Sequence, residues 1–184
     1  KLMDVDTMLG PEMKSTGECL GIADNFQDAL LKGLLGAGYD LERCGLNPKT
    51  GETTGVLISV RKEDKKEIIE IAEEFSSMGF DLYATSGTAS ALNKNFIATN
   101  CVYKISDNKE PNTLTLLESG KIHYLISTSA KGRIPERDSV KMRRKAIERS
   151  ICSLTSIDTA KALVDVLKSN RDIDDVEMID ITKI

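Results

Sequence analysis

Short runs of branched apolar residues alternate with longer amphipathic segments from residue 56 onward, and this alternation constrains the fold more than any other feature. The run Val56–Val60 (V-L-I-S-V) is typical of a strand buried in a parallel sheet. The segment that Asp64 opens places Ile68, Ala72 and Phe75 on one helical face. Similar strand patterns recur at 80–84, 101–105, 123–127 and 151–154.

Strands that alternate with helices of this length predict an α/β fold, a doubly wound parallel sheet with helices on both faces in a Rossmann-like three-layer sandwich. The helices are predicted at 64–78, 89–94, 113–119, 138–149 and 158–167, and a closing strand at 176–181. In such sheets ligands bind beyond the carboxyl ends of the strands. The search for function therefore concentrates on the residues directly after each strand.

The part of the chain before the first strand has a different character and is predicted to be a short N-terminal helical appendage. One helix is expected there, with Asp24 as its N-cap, Gln27 as the capping-box partner and an end near Leu35. The stretch 44–51 has loop composition and marks a boundary. We expect the appendage to pack loosely, and, because the chain begins with Lys1, we expect it to be a piece of a longer protein.

Cysteine and histidine usage argues against disulfide bonds and metal sites. Cys19, Cys44, Cys101 and Cys152 are widely spaced without a C-x-x-C pair, which predicts free thiols in a reducing compartment instead of a disulfide framework or zinc site. His123 is the only histidine, so a histidine-rich metal centre is not expected. No apolar run reaches the ~18 residues that span a membrane. We therefore expect a cytoplasmic protein that contains no metal and does not bind a membrane.

A basic stretch stands out from the net charge of −4, with eight basic against three acidic residues between Thr128 and Arg149. Such a stretch attracts anions, and nucleic-acid binding or a solvated helix face are its generic interpretations. The stretch is short and the chain has only four Tyr, four Phe and no Trp for base stacking. We therefore do not expect nucleic acid as a partner.

Hydroxyl and lysine side chains follow four of the predicted strands at the edge where such sheets bind ligands. The segment 85–88 is predicted to be a tight loop at the N-terminus of a helix, where exposed N–H groups and the helix dipole favour an anion, and Gly87 lets the backbone approach a ligand. A phosphate on a hydroxyl-rich ligand, such as a nucleoside monophosphate, suits this set, although neither a Walker motif nor G-x-G-x-x-G is present. The residues concerned are Ser59, Lys65, Thr85, Gly87, Thr88, Lys104, Ser127, Thr128 and Ser129.

General acid–base chemistry is not evident at this edge. No carboxylate is obviously placed among the segments that follow the strands, and His123 falls at the start of its strand, at the opposite edge of the sheet. The sequence therefore predicts ligand binding without a catalytic residue.

Two stretches of the chain resemble the large subunit of carbamoyl-phosphate synthase. Residues 9–18, followed by 20–22 and the helix at 26–33, resemble the end of its second ATP-grasp synthetase unit. The methylglyoxal-synthase-like allosteric domain that ends the subunit is resembled at 57–61, 84–89, 138–139 and 143–144. The resemblance divides the chain into 1–54, a remnant of the ATP-grasp unit plus linker, and 55–184, the allosteric domain.

This resemblance implies a regulatory domain of a glutamine-hydrolysing synthase, with UMP or IMP as effector. The parent enzyme uses ATP with Mg or Mn to make carbamoyl phosphate for pyrimidine and arginine biosynthesis, whereas this fragment is expected to be inactive and to need no cofactor. Its implied partners are the rest of the large subunit, the small glutaminase subunit and homo-oligomer contacts. The positions that match the nucleotide site are Ser59, Lys65, Thr85, Thr88, Lys104, Ser127, Ser129 and Ser139.

Departures from the family pattern leave some alternatives open. Ser127 and Ser129 stand where enteric relatives have asparagine and threonine, which leaves the base and ribose preference open. Methylglyoxal synthases use a catalytic aspartate and histidines at strand ends, whereas this chain has only His123, at the start of its strand, so that activity is not expected. IMP cyclohydrolases carry a D-G-R-V-K-T motif that is missing here. Relatives activated by N-acetylglutamate have tryptophan at the position of Lys104, and this chain has no tryptophan, which favours a phosphorylated effector. Relatives that respond to ornithine contact it through a His-Tyr-Asp-Thr segment. Only the last residue of that segment is matched here, by Thr155, so regulation by ornithine stays open.

Overall fold

The computed structural model describes residues 19–41, 45, 53–128, 133–169, 171 and 173–180. Within these ranges, five strands form one sheet in the order β3-β2-β1-β4-β5, and every pair of neighbours is parallel. The strands are β1 (Gly55–Ser59), β2 (Asp81–Thr85), β3 (Asn100–Val102), β4 (Ile122–Ser127) and β5 (Cys152–Leu154). The helices are α1 (Phe26–Gly36), α2 (Glu67–Ser77), α3 (Ser86–Lys94), α4 (Thr113–Glu118), α5 (Arg133–Glu148) and α6 (Ile157–Lys168).

Helices cover both faces of the sheet, as the side-chain alternation of β1 shows. Val56 and Ile58 belong to a core cluster with residues of α2, α3 and α6, whereas Leu57 points to the other face and packs with residues of α4 and α5. Successive side chains of a strand point to opposite faces, so a central strand with helices on both sides must be apolar throughout. The predicted doubly wound, three-layer α/β fold is confirmed.

The strand order reverses between β1 and β4, because the chain runs outward from β1 through β2 to β3 and then returns to the other side of β1. Ser59 and Ser127 lie side by side as the last paired residues of these two strands. Open parallel sheets bind ligands at such a switch point, beyond the carboxyl ends of the strands. This point therefore fixes where a site is to be sought.

Two predicted boundaries near the carboxyl edge are wrong, and both corrections lengthen a helix at its N-terminus. Residues 86–88 form the first turn of α3 instead of a loop. Helix α5 begins at Arg133 instead of at Asp138 or Ser139. Small, hydroxyl-bearing or proline residues are accepted in a first turn because its N–H groups have no intrahelical partner, so their pattern resembles that of a loop.

Other boundaries differ because side chains satisfy the backbone locally. Asn25, not Asp24, caps α1, and its Oδ1 accepts a hydrogen bond from Asp28 N at 2.9 Å. The third strand ends at Val102 instead of continuing to Ile105, and Ile105–Asp107 form a short 3-10 helix.

The helix of the expected loose appendage is packed against the rest of the protein. Leu31 of α1 is 1% exposed and packs with Val166 of α6 and with Val176. Val176 is buried, but the closing strand predicted at 176–181 does not form over the described residues 176–180. The guanidinium of Arg171 donates to Asp28 Oδ2 at 2.6 Å, and Lys32 Nζ donates to the carbonyl of Glu177 at 2.6 Å. The expectation of loose packing is therefore wrong for α1.

Within the described ranges, no helix is both long and apolar enough to cross a membrane.

Candidate functional site

A cleft of about 400 Å³ opens beyond the carboxyl ends of β1, β2, β3 and β4. The predicted site residues that line it are Ser59, Lys65, Thr85, Gly87, Thr88, Lys104, Thr128 and Ser139. Ser127 is fully buried at the end of β4 and is not part of the described lining, and Ser129 lies outside the described residues. Parallel pairing brings the strand ends together, so residues as far apart in the sequence as Ser59 and Met142, 83 positions, share one cleft.

The segments that follow β1 and β3 contribute cationic residues to the cleft. Arg61, Lys62, Lys65 and Lys104 line it, and neither Lys65 nor Lys104 forms an ion pair with any residue that the structure describes. Arg61, in contrast, is bound to Asp64, with 2.8 Å between Nε and Oδ2. This hydrogen bond, together with the charge of Asp64, raises the pKa of the Arg61 guanidinium. Lys65 and Lys104 are therefore available to a ligand, as is the exposed Lys62, which also forms no ion pair with a described residue.

The start of α3, which follows β2, also lines the cleft. Thr85, the N-cap residue, has extended backbone (φ −64°, ψ 150°), and its side chain makes no capping hydrogen bond to the described backbone. The first-turn N–H groups of a helix have no intrahelical partner, and the helix dipole makes this end attractive to anions.

Gly87 allows the lysine and the helix start to approach closely. A Cβ atom added to Gly87 would lie 2.9 Å from Nζ of Lys65, so the ammonium group sits directly against the first turn of α3. Any side chain at this position would displace the ammonium. The structure thus brings a lysine charge and an uncapped helix N-terminus to one place.

Two threonine hydroxyls in the cleft wall have no hydrogen-bond partner among the described residues. Thr88 Oγ1 and Thr113 Oγ1 are both buried, and each residue is 1% exposed. Buried hydroxyls normally have a hydrogen-bond partner, and both residues line the cleft. Both residues can therefore supply a hydrogen bond to a bound molecule.

Residues that the sequence pattern did not assign to the site also line the cleft. They include Ser106, Thr113, Asp138 and Met142. Asp138 corrects the expectation that no carboxylate reaches this edge, and its Oδ2 accepts a hydrogen bond from Ser106 N at 3.2 Å. Because α5 begins earlier than predicted, Asp138 lies within the helix instead of capping it. A signal for this residue is present in the sequence, since the predicted helix at 138–149 begins at Asp138, directly after the loop that follows β4.

His123 is not part of the cleft lining that the structure describes. It is the second residue of β4, four positions before Ser127, which is about 13 Å along an extended strand. The prediction that His123 lies towards the other edge of the sheet is confirmed.

The described ranges contain free thiols but no cluster of potential metal ligands. No group of three or more His, Cys, Asp or Glu side chains there is arranged to hold a metal ion. Cys19, Cys101 and Cys152 are free thiols, and burial raises the pKa of Cys152 to about 12. Cys44 lies outside the described residues.

Residues 67–155 match the family model of the MGS-like domain. The match runs from the start of α2 to the end of β5 and includes Thr85, Gly87, Thr88, Lys104 and Thr128, whereas Ser59 and Lys65 precede it. It agrees with the methylglyoxal-synthase-like part of the resemblance. This part of the chain is therefore similar to the MGS-like domain.

Proposed function

We propose that this MGS-like domain binds a nucleoside monophosphate of the UMP or IMP type and serves as the regulatory domain of a glutamine-hydrolysing carbamoyl-phosphate synthase. One observation carries the proposal. Lys65 and Lys104, which have no carboxylate partner among the described residues, meet the uncapped start of α3 in one cleft at the switch point of the sheet.

The phosphate end of the ligand follows from the charges. A phosphate carries close to two negative charges at pH 7 and accepts several hydrogen bonds, so it gains from the lysines and from the helix N–H groups together. The contact of Lys65 with Gly87 places one ammonium group within reach of the same anion as the first turn of α3. A ligand with two separated carboxylates, such as N-acetylglutamate, does not match such a concentrated donor set.

The remainder of the cleft suits a nucleoside. Its volume of about 400 Å³ lies within the range of small-molecule sites. Besides its cationic residues, the cleft lining includes the apolar residues Val60, Ile105 and Met142 and the hydroxyl-bearing residues Thr113 and Ser139. Apolar surface with a few hydrogen-bonding groups favours a base and ribose over an inorganic ion.

Binding, instead of turnover, is favoured by the acid–base groups near the cleft. The sole histidine lies towards the other edge of the sheet, and Asp138 already accepts a hydrogen bond from Ser106 N. The assignment to carbamoyl-phosphate synthase draws on the MGS-like match together with the resemblance of residues 9–18 to the preceding synthetase unit. The ATP-dependent chemistry and the glutaminase partner belong to that parent enzyme.

Calorimetric titration of the chain tests the proposal. UMP or IMP should bind, whereas uridine and N-acetylglutamate at equal concentration should bind at least ten times more weakly. Equal affinity for uridine and UMP would contradict the phosphate argument. Equal affinity for inorganic phosphate and UMP would reduce the site to a simple anion site.

Two activity measurements address the parent assignment and the competing enzyme class. UMP or IMP should change the rate of carbamoyl phosphate synthesis by the complete enzyme that contains this chain, and should lose this effect with Lys104→Ala. The chain should form no methylglyoxal from dihydroxyacetone phosphate, since a methylglyoxal synthase requires acid–base groups in the cleft. Turnover of dihydroxyacetone phosphate would replace the regulatory function with an enzymatic one.

A further inference from the structure

We propose that Thr128 is a positioning residue that sets the affinity for phosphate by holding the segment after β1, and with it Lys65, in place. The inference rests on the proposed function, and it replaces the role predicted for Thr128 from the sequence, which was direct contact with the effector. It identifies a contact by which the end of β4 fixes the position of Lys65, one of the two lysines proposed to bind the phosphate.

Two hydrogen bonds join Thr128 to the segment after β1. Thr128 N donates to the carbonyl of Ser59 at 3.1 Å, and Arg61 N donates to Thr128 Oγ1 at 3.0 Å. The first bond continues the parallel pairing of β1 and β4, whose last paired residues are Ser59 and Ser127. The second extends the connection by a side chain, at the point where the two strands separate. Thr128 is 8% exposed and Arg61 is exposed, so this contact is partly buried.

Arg61 passes the connection on towards Lys65. Its Nε lies 2.8 Å from Oδ2 of Asp64, and the side chain of Asp64 is 9% exposed. Asp64 is the middle residue of the 3-10 helix Glu63–Lys65, so the ion pair anchors the turn that carries the lysine. The ammonium of Lys65 then lies against Gly87. A continuous series of contacts thus runs from β4 to the phosphate side of the cleft.

Loss of the Thr128 hydroxyl would remove the first side-chain contact of this series. The amide of Arg61 would lose its acceptor, and an amide that is partly buried is costly to leave without one. The segment would then shift to find another partner, and Lys65 would lose its fixed place. An effect that acts in this way must depend on Lys65, whereas a direct contact of Thr128 with the ligand must not.

A double-mutant cycle separates these two roles. UMP affinity is measured calorimetrically for the wild-type chain and for Thr128→Val, Lys65→Ala and the double variant. Thr128→Val should weaken binding about two- to tenfold, as loss of one hydrogen bond does. In the Lys65→Ala background, the same change should alter affinity less than about twofold, because coupled residues are not additive. Thr128→Ser retains the acceptor and should bind like the wild type.

Hydrogen exchange of the Arg61 amide gives a readout that needs no ligand. The amide should be protected in the wild type and in Thr128→Ser, and should exchange at least ten times faster in Thr128→Val and in Thr128→Ala. Unchanged protection in both variants, or an equal loss of UMP affinity with and without Lys65, would overturn the positioning role. Failure of the wild-type chain to bind UMP would overturn the proposed function instead, and the exchange data would then report on the contact alone. Should Thr128→Val fail to fold, Thr128→Ala and Thr128→Ser carry the comparison.

Discussion

At the scale of single residues, Lys104 tests whether the cleft needs a positive charge to bind its ligand. It lies directly after β3, lines the cleft and has no ion-pair partner in the described part of the chain. Lys104→Ala should weaken UMP binding roughly ten- to hundredfold, because a charge-assisted hydrogen bond contributes ~1.5–3 kcal/mol. Calorimetry measures the loss. Lys121→Ala is the matched control, since this exposed lysine precedes β4 at the other edge and removes the same charge. Equal losses in both variants would mean that only net charge matters.

Thr88 tests whether a buried hydroxyl is kept for the ligand. Thr88→Val removes an Oγ1 atom that has no hydrogen-bond partner in the described structure and replaces it with a methyl group of similar size. The unliganded protein should lose no stability and should gain up to ~1 kcal/mol, while UMP affinity falls. Chemical denaturation and calorimetry measure the two effects. Ser153→Ala is the control, because its Oγ is also buried without a described partner but lies on β5, outside the cleft lining. A fall in UMP affinity in Ser153→Ala would contradict the local explanation.

Cys152 should be chemically silent in the native protein. Burial raises its pKa to about 12, so at pH 8 only about 0.01% is the reactive thiolate, and a raised pKa keeps the group neutral until the pH approaches that value. Cys19 and Cys101 are exposed. Iodoacetamide at pH 8 should therefore label Cys19 and Cys101 while Cys152 stays unlabelled until the protein is denatured, as mass spectrometry would show. Labelling of native Cys152 at the rate of Cys101 would contradict the burial argument.

At the scale of elements, helix α1 is packed against α6 although the two helices are far apart in the sequence. Leu31 is 1% exposed and joins α1 to α6, so Leu31→Ala should lower the free energy of unfolding by about 2–5 kcal/mol. Denaturant titration measures this change. Leu20→Ala removes the same atoms from a residue that is 81% exposed and should change stability by less than ~0.5 kcal/mol. A small effect of Leu31→Ala would restore the expectation of a loosely packed appendage.

At the scale of the whole molecule, ligand binding and folding are linked. A ligand that binds only the native state stabilises it by about 2.7 kcal/mol at a hundred times its dissociation constant. For a chain of 184 residues, UMP should then raise Tm by roughly 5–10 °C. The shift should shrink in Lys104→Ala at the same UMP concentration and be small for uridine. A thermal melt that does not respond to UMP would contradict the proposed function.

The layered architecture and much of the cleft follow from local patterns in the sequence. A strand such as Val56–Ile58 must be buried on both faces because no polar side chain interrupts it, and parallel strands necessarily collect their carboxyl ends at one edge. Those two facts are enough to predict that Lys65, Thr85 and Lys104 share one region of the molecule. The same logic places His123 towards the other edge.

Contacts between segments far apart in the chain were decided only by the tertiary structure. The hydrogen bond from Arg61 to Thr128 spans 67 positions, and the ion pair of Asp28 with Arg171 spans 143. Asp138 lines the cleft from within α5, which begins at Arg133, and it accepts a hydrogen bond from Ser106, 32 positions away. Periodicity and capping depend on neighbours within a few residues, so they determine which elements form. How loops and helix ends meet depends on packing over the whole sheet, which no local pattern encodes.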